Sequence, residues 1–210
     1  MKNIFKQIII NQRHKKWTKE LRKRNKNKNF TLITNNCIGG VIYHDLGIPF
    51  YSPTINCTIQ DFPLFINYFE HYMTCDLIEI KSDQPFPVGI LKSDKYPSIT
   101  IWFNHYKSFV EAKEKWIERK KRINYSNIFF LMECYSHIYE EEFNQYLNLP
   151  MKDNKVVLIH VPETTREDVH FIPCDTGTKD NPVFGKIFEI NDDGKRALDE
   201  FDYVSFLNRE

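Results

Sequence analysis

Regular alternation of apolar and polar residues over positions 98–105 is the clearest secondary-structure signal in the chain. Every second residue from Ile99 to His105 points to one side of an extended strand, and the residues between them point to the other side. A helix is predicted next, because Ser108 and Glu111 form a capping box at its start. The pattern therefore places His105 at the end of a strand, just before a helix.

Strands and helices alternate along most of the chain, which predicts an α/β protein with crossover connections. We expect a mixed, mostly parallel open sheet with flanking helices in Rossmann-like layers, plus a basic N-terminal helix. An irregular stretch over 164–190 argues against a wholly parallel sheet. Further strands are predicted at 30–34, 78–80, 128–132 and 156–161, and helices at 1–28, 41–47, 61–71, 108–123, 140–147 and 194–207.

Charge divides the chain into a basic leader and a mildly acidic body. Of the 29 Lys and Arg residues, eleven lie in residues 1–28 beside one acid, Glu20, so the body keeps 18 bases and 27 acids. An acidic body argues against a general nucleic-acid-binding domain. The predicted organisation is a leader or linker over 1–28 and a single α/β domain over 29–208. The irregular region leaves room for a smaller C-terminal sub-domain from about residue 150.

Two interpretations of the leader stay open. Phe5, Ile8 and Ile9 share one helix face, as do Trp17 and Leu21 a little later. These apolar residues either pack on the domain or lie on an anionic membrane surface. No apolar run approaches the roughly 20 residues of a membrane-spanning helix. With no secretory signal, we expect a cytoplasmic protein with reduced cysteines, with peripheral contact at the inner membrane face as the alternative. No metal-binding spacing is found among its Cys and His residues, and no cofactor can be named.

The loop Asn35–Gly40 is the first candidate site, because open α/β sheets bind ligands where a strand leads into a helix. Backbone N–H groups and the helix dipole there favour an anion such as phosphate. Gly39 and Gly40 would let a ligand approach the backbone. The loop matches neither the P-loop nor the dinucleotide-binding motif, so a simple tight turn explains it equally well.

Candidate catalytic groups lie in and around these two strand ends. Cys37, near a helix N-terminus, is either a thiolate nucleophile or a small buried hydrophobic residue. His105 is either a base that completes a nucleophile pair or a hydrogen-bonded core residue. Asp94 lies upstream of the same strand and is a candidate to orient His105 or to bind a metal.

Basic and aromatic residues of the helix after His105 form a second candidate group. Lys115, Arg119 and Arg122 fall on one helix face and could hold a phosphate or sugar acid. A solvated charged face is the alternative. Trp116 is either a core residue or an aromatic that stacks on a sugar.

Several of these motifs together resemble a bacterial family of uncharacterised proteins that are often labelled exopolysaccharide biosynthesis proteins. The resemblance covers most of residues 29–208 and is weakest over 133–190. It rests on FTLITNNCIGG at 30–40, YHDLG at 43–47, SP at 52–53, PVG at 87–89, IWFNHYKS at 101–108, EAKEKW at 111–116, Arg119, RIN at 122–124 and FDYVSFLN at 201–208.

The resemblance implies site residues but no established reaction. It implies an acid near the start of the strand that carries His105, a position that Asp94 would supply. The remaining residues on which its motifs converge are Asn35, Asn36, Cys37, Gly39, Gly40, Asp45, His105, Tyr106, Lys115, Trp116, Arg119, Arg122 and Asn124.

The leading functional expectation is an enzyme of surface-polysaccharide assembly that transfers an acyl or phosphoryl group on a sugar or nucleotide-sugar substrate. His105 would act as general base and Cys37 as nucleophile, with Arg119 and Arg122 on a phosphate. The alternative is a non-catalytic binding or scaffold protein for a sugar phosphate, nucleotide sugar or glycolipid head group. Nucleic acid is not an expected partner. An open cleft lined by Cys37, His105 and Arg119 would favour the enzyme.

Overall fold

Strands and helices alternate along the chain as the sequence pattern predicts. The computed structural model describes residues 2–134, 136–150, 154–160, 167–178 and 180–209. Its α-helices are α1 (Lys2–Arg24), α2 (Ile38–Leu46), α3 (Phe62–Asn67), α4 (Phe69–Thr74), α5 (Phe109–Lys120), α6 (Ser136–Leu147) and α7 (Tyr203–Leu207). Its strands are β1 (Thr31–Thr34), β2 (Thr58–Ile59), β3 (Asp76–Ile80), β4 (Val88–Lys92), β5 (Ile99–Trp102), β6 (Ile128–Cys134), β7 (Lys155–Ile159) and β8 (Val169–Phe171). Two 3₁₀ helices cover Lys186–Phe188 and Ala197–Glu200.

A four-stranded parallel sheet in the order β1-β6-β7-β8 forms the centre of the molecule. Its strands are buried on both faces, as expected where crossovers cover a parallel sheet. Leu32 and Phe129 pack on one face against side chains of α1, α2 and α7. Ile33 and Phe130 pack on the other face against α3 to α6 and the second sheet. The two faces therefore carry two separate hydrophobic cores.

The second sheet is antiparallel, with the strand order β2-β5-β4-β3. It is inserted in the chain between β1 and β6. The Ile59 N–H of its edge strand β2 donates a hydrogen bond to the Asn35 carbonyl directly after β1, at 2.9 Å. This bond joins the edge strand of the antiparallel sheet to the loop that follows β1 in the parallel sheet.

The prediction of a mixed α/β fold is confirmed, with differences in detail. The clearest strand in the sequence, β5, belongs to the antiparallel sheet and ends at Trp102, so His105 lies in the following turn. Strand β4, which starts at Val88, is not among the strands that the sequence pattern predicted. The predicted helix at 61–71 divides into α3 and α4 at Tyr68. Val161, the predicted end of β7, lies outside the described residues.

Helix α1 packs on the body through Trp17 and Leu21, as the pattern indicated, but not through the apolar residues of its first turns. Phe5, Ile8 and Ile9 are exposed, whereas Ile10 and Leu21 are buried. The prediction that the first three anchor the helix to the domain is therefore wrong. Within the described residues, no helix is both long and apolar enough to cross a membrane.

Candidate functional site

A cavity of about 930 Å³ opens at the carboxyl ends of β1 and β6. The loop after β1 contributes Asn35, Asn36 and Cys37 to its wall, and the turn after β5 contributes Asn104 and His105. Two strand ends from different sheets thus meet at one space, as the ligand-site rule for open α/β sheets suggests. Other residues that line the cavity are His14, Gly40, His44, Asp45, Phe50, Asn56, Gln60, Trp102, Glu133, Glu142, Phe184 and Arg196.

Asn35 and Asn36 hold the carboxyl end of β6 in place. The Asn35 side chain accepts a hydrogen bond from the Glu133 N–H at 3.0 Å and donates one to the Glu133 carbonyl at 2.9 Å. It therefore extends the β1–β6 ladder by one residue. The Asn36 side-chain amide donates to the Glu133 carboxylate. These contacts fix a buried carboxylate at the cavity wall.

Two backbone donors of the predicted anion site are already occupied. The Ile38 N–H donates to the Asn36 side chain at 3.0 Å, and the Gly39 N–H donates to the Thr34 hydroxyl at 3.3 Å. A Cβ atom at Gly39 would lie 2.8 Å from that hydroxyl oxygen. Close packing inside the protein thus explains this glycine, and the adjacent Glu133 carboxylate disfavours an anion.

Cys37 is half-buried, and its surroundings oppose thiolate formation. Burial, and then the charge of Glu133, raise the pKa of Cys37 to about 11. Desolvation thus outweighs any effect of the α2 N-terminus. These surroundings favour the protonated thiol, and with it the interpretation of Cys37 as a small buried residue rather than a thiolate nucleophile.

His105 lies at the cavity and is exposed, so it is not a core residue. Its neighbour Asn104 is held by the Thr58 hydroxyl, which donates to the Asn104 side-chain oxygen at 3.0 Å. Asp94 does not share this position. It lies in the exposed turn before β5, at the opposite end of that strand, and is not among the residues that line the cavity. The structure therefore does not bring it to His105.

Arg119 and Tyr106 support the cavity wall from behind. The Tyr106 hydroxyl donates to the Ile55 carbonyl at 2.9 Å and accepts from Arg119 at 2.6 Å. Burial raises the pKa of Tyr106 to about 12, although the Arg119 charge opposes the shift. Arg119 is buried, lies over the Phe50 ring and does not line the cavity. The predicted cleft lined by Cys37, His105 and Arg119 together is thus formed only in part.

The other predicted ligand residues of α5 and its following turn lie away from the cavity. Lys115 and Arg122 both pair with Glu118 on their own helix. Trp116 is 2% exposed and packs edge-on against Phe103, so it cannot stack on a sugar. Asn124 donates to the Asn29 carbonyl at 2.8 Å, at the amino end of β1 and so at the opposite edge of the sheet.

A buried ionic network stands behind another part of the wall. Asp45 is 1% exposed, accepts hydrogen bonds from Arg196 and Tyr203, and so has its charge matched inside the protein. Arg196 also bonds Asp199. Burial lowers the pKa of Arg196, but its bonds to Asp45 and Asp199 outweigh that effect and raise it.

Comparison with known proteins identifies the family. Residues 8–208 match the family described as "Domain of unknown function (DUF1919)". The chain belongs to the DUF1919 family. The chain is also 32% identical over 212 residues to a Haemophilus influenzae protein named "Uncharacterized protein". That alignment covers 98% of each chain. Neither description carries a polysaccharide label.

Sequence reasoning missed two acidic residues of this DUF1919 site. Glu133 lies on β6, where its carboxylate bonds the His160 imidazole at 3.0 Å. Glu142 lies on α6, and burial, followed by Asp61 and Glu141, raises its pKa. The signal for Glu133 was an acid inside the apolar run IFFLMEC at 128–134, because a buried charge in such a strand needs a partner. Glu142 has no such signal, since it is one of three successive glutamates.

Proposed function

We propose that this DUF1919 protein is an enzyme of surface-polysaccharide assembly that transfers an acyl group to or from a sugar bound in the cavity. One observation carries the proposal. A single large cavity combines side-chain amides and aromatic rings with an exposed imidazole and a carboxyl group of raised pKa. The polysaccharide context comes from the sequence resemblance, and the chemistry comes from the cavity.

The wall suits a molecule with many hydroxyl groups. Asn35, Asn104 and Gln60 offer amide donors and acceptors, which match sugar hydroxyls. Trp102 and Phe184 offer aromatic surface for the C–H face of a sugar ring. A concave site with few convergent polar groups is the usual form of a small-molecule site.

Charge favours an uncharged sugar over a nucleotide sugar or sugar phosphate. Among the described residues of the wall, Arg196 is the one permanent cation, and Asp45 and Asp199 already neutralise it. Glu133 and Glu142 add acidic groups. A phosphate would therefore meet carboxylates rather than an uncommitted Arg or Lys. Of the ligand classes that the sequence left open, the charge of the wall therefore favours an uncharged sugar.

The two titratable groups can divide the proton transfers. In transfer to the sugar, the His105 imidazole would accept the proton of the attacking hydroxyl. Glu142, whose pKa is raised by burial, would be the acid that protonates the leaving group. Cys37 is not needed in this scheme. A scaffold protein would need neither proton-transfer group, which is why we favour catalysis over the binding alternative.

Ligand binding is tested by a thermal-shift screen of the full chain against neutral sugars, nucleotide sugars, sugar phosphates and coenzyme A. A neutral sugar at about 100 times its Kd stabilises the protein by about 2.7 kcal/mol, or about 5 to 10 °C in Tm. Trp102→Ala and Asn104→Ala should abolish the shift, and Lys107→Gln, in the same turn but outside the cavity, should not. Stabilisation by nucleotides alone would overturn the neutral-sugar assignment.

Catalysis is tested with the sugar found in that screen, together with acyl and phosphoryl donors, by mass spectrometry of the products. Glu142→Gln and His105→Gln should each lower the transfer rate by about 10²- to 10⁴-fold. Glu114→Gln, the same change at an exposed position of α5 that does not line the cavity, is the matched control. Sugar binding without transfer to or from any donor would instead support the scaffold alternative.

A further inference from the structure

The first two turns of α1 present an apolar surface to solvent. Ile4 and Phe5 are each 66% exposed, and Ile8 and Ile9 are 46% and 48% exposed. We call these four residues the apolar tip. They are consecutive neighbours on one helix, whereas exposed apolar residues elsewhere on the surface are mostly single. A cluster of this kind marks an interaction surface more often than an isolated residue does.

Basic residues continue the same outer face along the helix. Because an α-helix turns about 100° per residue, Ile4, Ile8, Lys15 and Lys19 project within about 60° of one another. Lys15, Lys16 and Lys19 are exposed and form no ion pair within the described part of the chain. We call these three the lysine row. The outer face of α1 is thus apolar at one end and positively charged along the next turns.

The opposite face of α1 fixes this surface outward. Ile10 and Leu21 are buried on the body. Arg13 donates to the Asp192 carbonyl at 2.6 Å, and the His14 imidazole bonds the Gly194 carbonyl at 2.9 Å. These contacts hold the helix along its length. The apolar tip and the lysine row are therefore a permanent outer surface of the folded protein.

We propose that the outer face of α1 docks on the surface of an anionic lipid bilayer. The apolar tip enters the boundary between head groups and acyl chains, and the lysine row contacts the negative head groups. Charge complementarity favours an anionic bilayer over a second copy of the chain. A second copy with its outer faces side by side would bring two lysine rows together, whereas an anionic bilayer complements the row. The body, which carries an excess of acids, faces away from the lipid.

The test is sedimentation of the full chain with vesicles of phosphatidylcholine alone and of phosphatidylcholine mixed with phosphatidylglycerol. Binding is expected only to the anionic vesicles and should weaken as salt increases. Replacing the lysine row by Lys15→Gln, Lys16→Gln and Lys19→Gln together should weaken binding about 100-fold, since each basic residue contributes about fivefold. Phe5→Glu should weaken it at least about tenfold.

Two matched controls test whether vesicle binding depends on this surface or only on net charge and exposed apolar area. Lys92→Gln, Lys107→Gln and Lys121→Gln together remove the same charge from exposed positions on the body. Val110→Glu changes a side chain that is 66% exposed, as Phe5 is, but lies on α5. Both controls should bind anionic vesicles as the unchanged protein does. Circular dichroism and Tm confirm that each variant is folded.

Several outcomes would overturn the proposal. Failure of the unchanged protein to bind anionic vesicles would do so directly. An equal loss of vesicle binding in the body-lysine control would show that binding depends on the net charge of the protein and not on the outer face of α1. A concentration-dependent dimer that Phe5→Glu dissociates, without vesicle binding, would assign the tip to a second copy. Binding to RNA that depends on the lysine row but not on Phe5 would assign the face to nucleic acid.

Discussion

Asp45 and Glu133 are both buried carboxylates at the cavity wall, yet they are neutralised in different ways. Asp45 is paired with Arg196, a permanent cation, and accepts a further bond from Tyr203. Glu133 is bonded to an amide, Asn36, and to an imidazole, His160, which is charged only if protonated. We therefore expect the Asp45 network to serve folding and Glu133 to respond to a ligand bound in the cavity.

Removal of the permanent cation should produce the largest effect. Arg196→Met leaves Asp45 and Asp199 buried beside an apolar side chain, which should cost about 3 to 5 kcal/mol of unfolding free energy. Urea denaturation measures this loss of unfolding free energy. Adding Asp45→Asn to Arg196→Met should restore part of the loss, because one uncompensated charge is removed. Equal stability of the single variant and the unchanged protein would contradict the structural role.

Neutralising Glu133 should cost less stability than removing Arg196. Glu133→Gln keeps the shape of the side chain and its contact with Asn36, but loses the charged bond to His160. We expect a loss of about 1 to 2 kcal/mol in the same denaturation assay. In the thermal-shift assay the variant should lose sugar binding while it remains folded. A loss as large as that of Arg196→Met would show that the two carboxylates have the same role.

The pKa of the Cys37 thiol depends on the charge of Glu133. With a pKa of about 11, roughly 10⁻⁴ of the thiol is ionised at neutral pH, so alkylation should be slow there and still accelerate up to about pH 10. Glu133→Gln removes a charge that raises this pKa and should shift the profile to lower pH. Asp45→Asn should leave it in place. Mass spectrometry of the Cys37 peptide separates it from the other thiols.

Substitutions outside both networks should have the smallest effect. Asp94→Asn changes an exposed side chain at the far end of β5, and Lys115→Gln removes one surface ion pair. Each should alter stability by less than about 0.5 kcal/mol and leave sugar binding unchanged. A large loss of binding in Asp94→Asn would restore the sequence-based assignment of that residue to the site.

Local signals in the sequence predicted the elements well. The Ser108 hydroxyl accepts the Glu111 N–H, as the capping box indicates, and α5 begins there. Asp61 caps α3 in the same way. Strand β8 was missed because Val169–Phe171 is short and only half-buried, so it has no apolar pattern.

The site was predicted only where neighbours in sequence are neighbours in space. The loop after β1 and the turn after β5 were identified because each follows a strand. Arg196, which is 151 positions from Asp45, carries no local signal for that contact. Arg119 was misread for a related reason, since a helix pattern cannot show that Tyr106 and Ile55 cover one of its faces.

His14 connects helix α1 to the cavity. It lies midway along α1, bonds the Gly194 carbonyl at 2.9 Å, and forms part of the cavity wall. If adsorption of α1 on lipid displaces this residue, the shape of the ligand site changes with it. Thermodynamic reciprocity then requires that an occupied site alter the affinity for lipid by the same factor. Such coupling would let the protein sense at the bilayer whether its sugar has arrived.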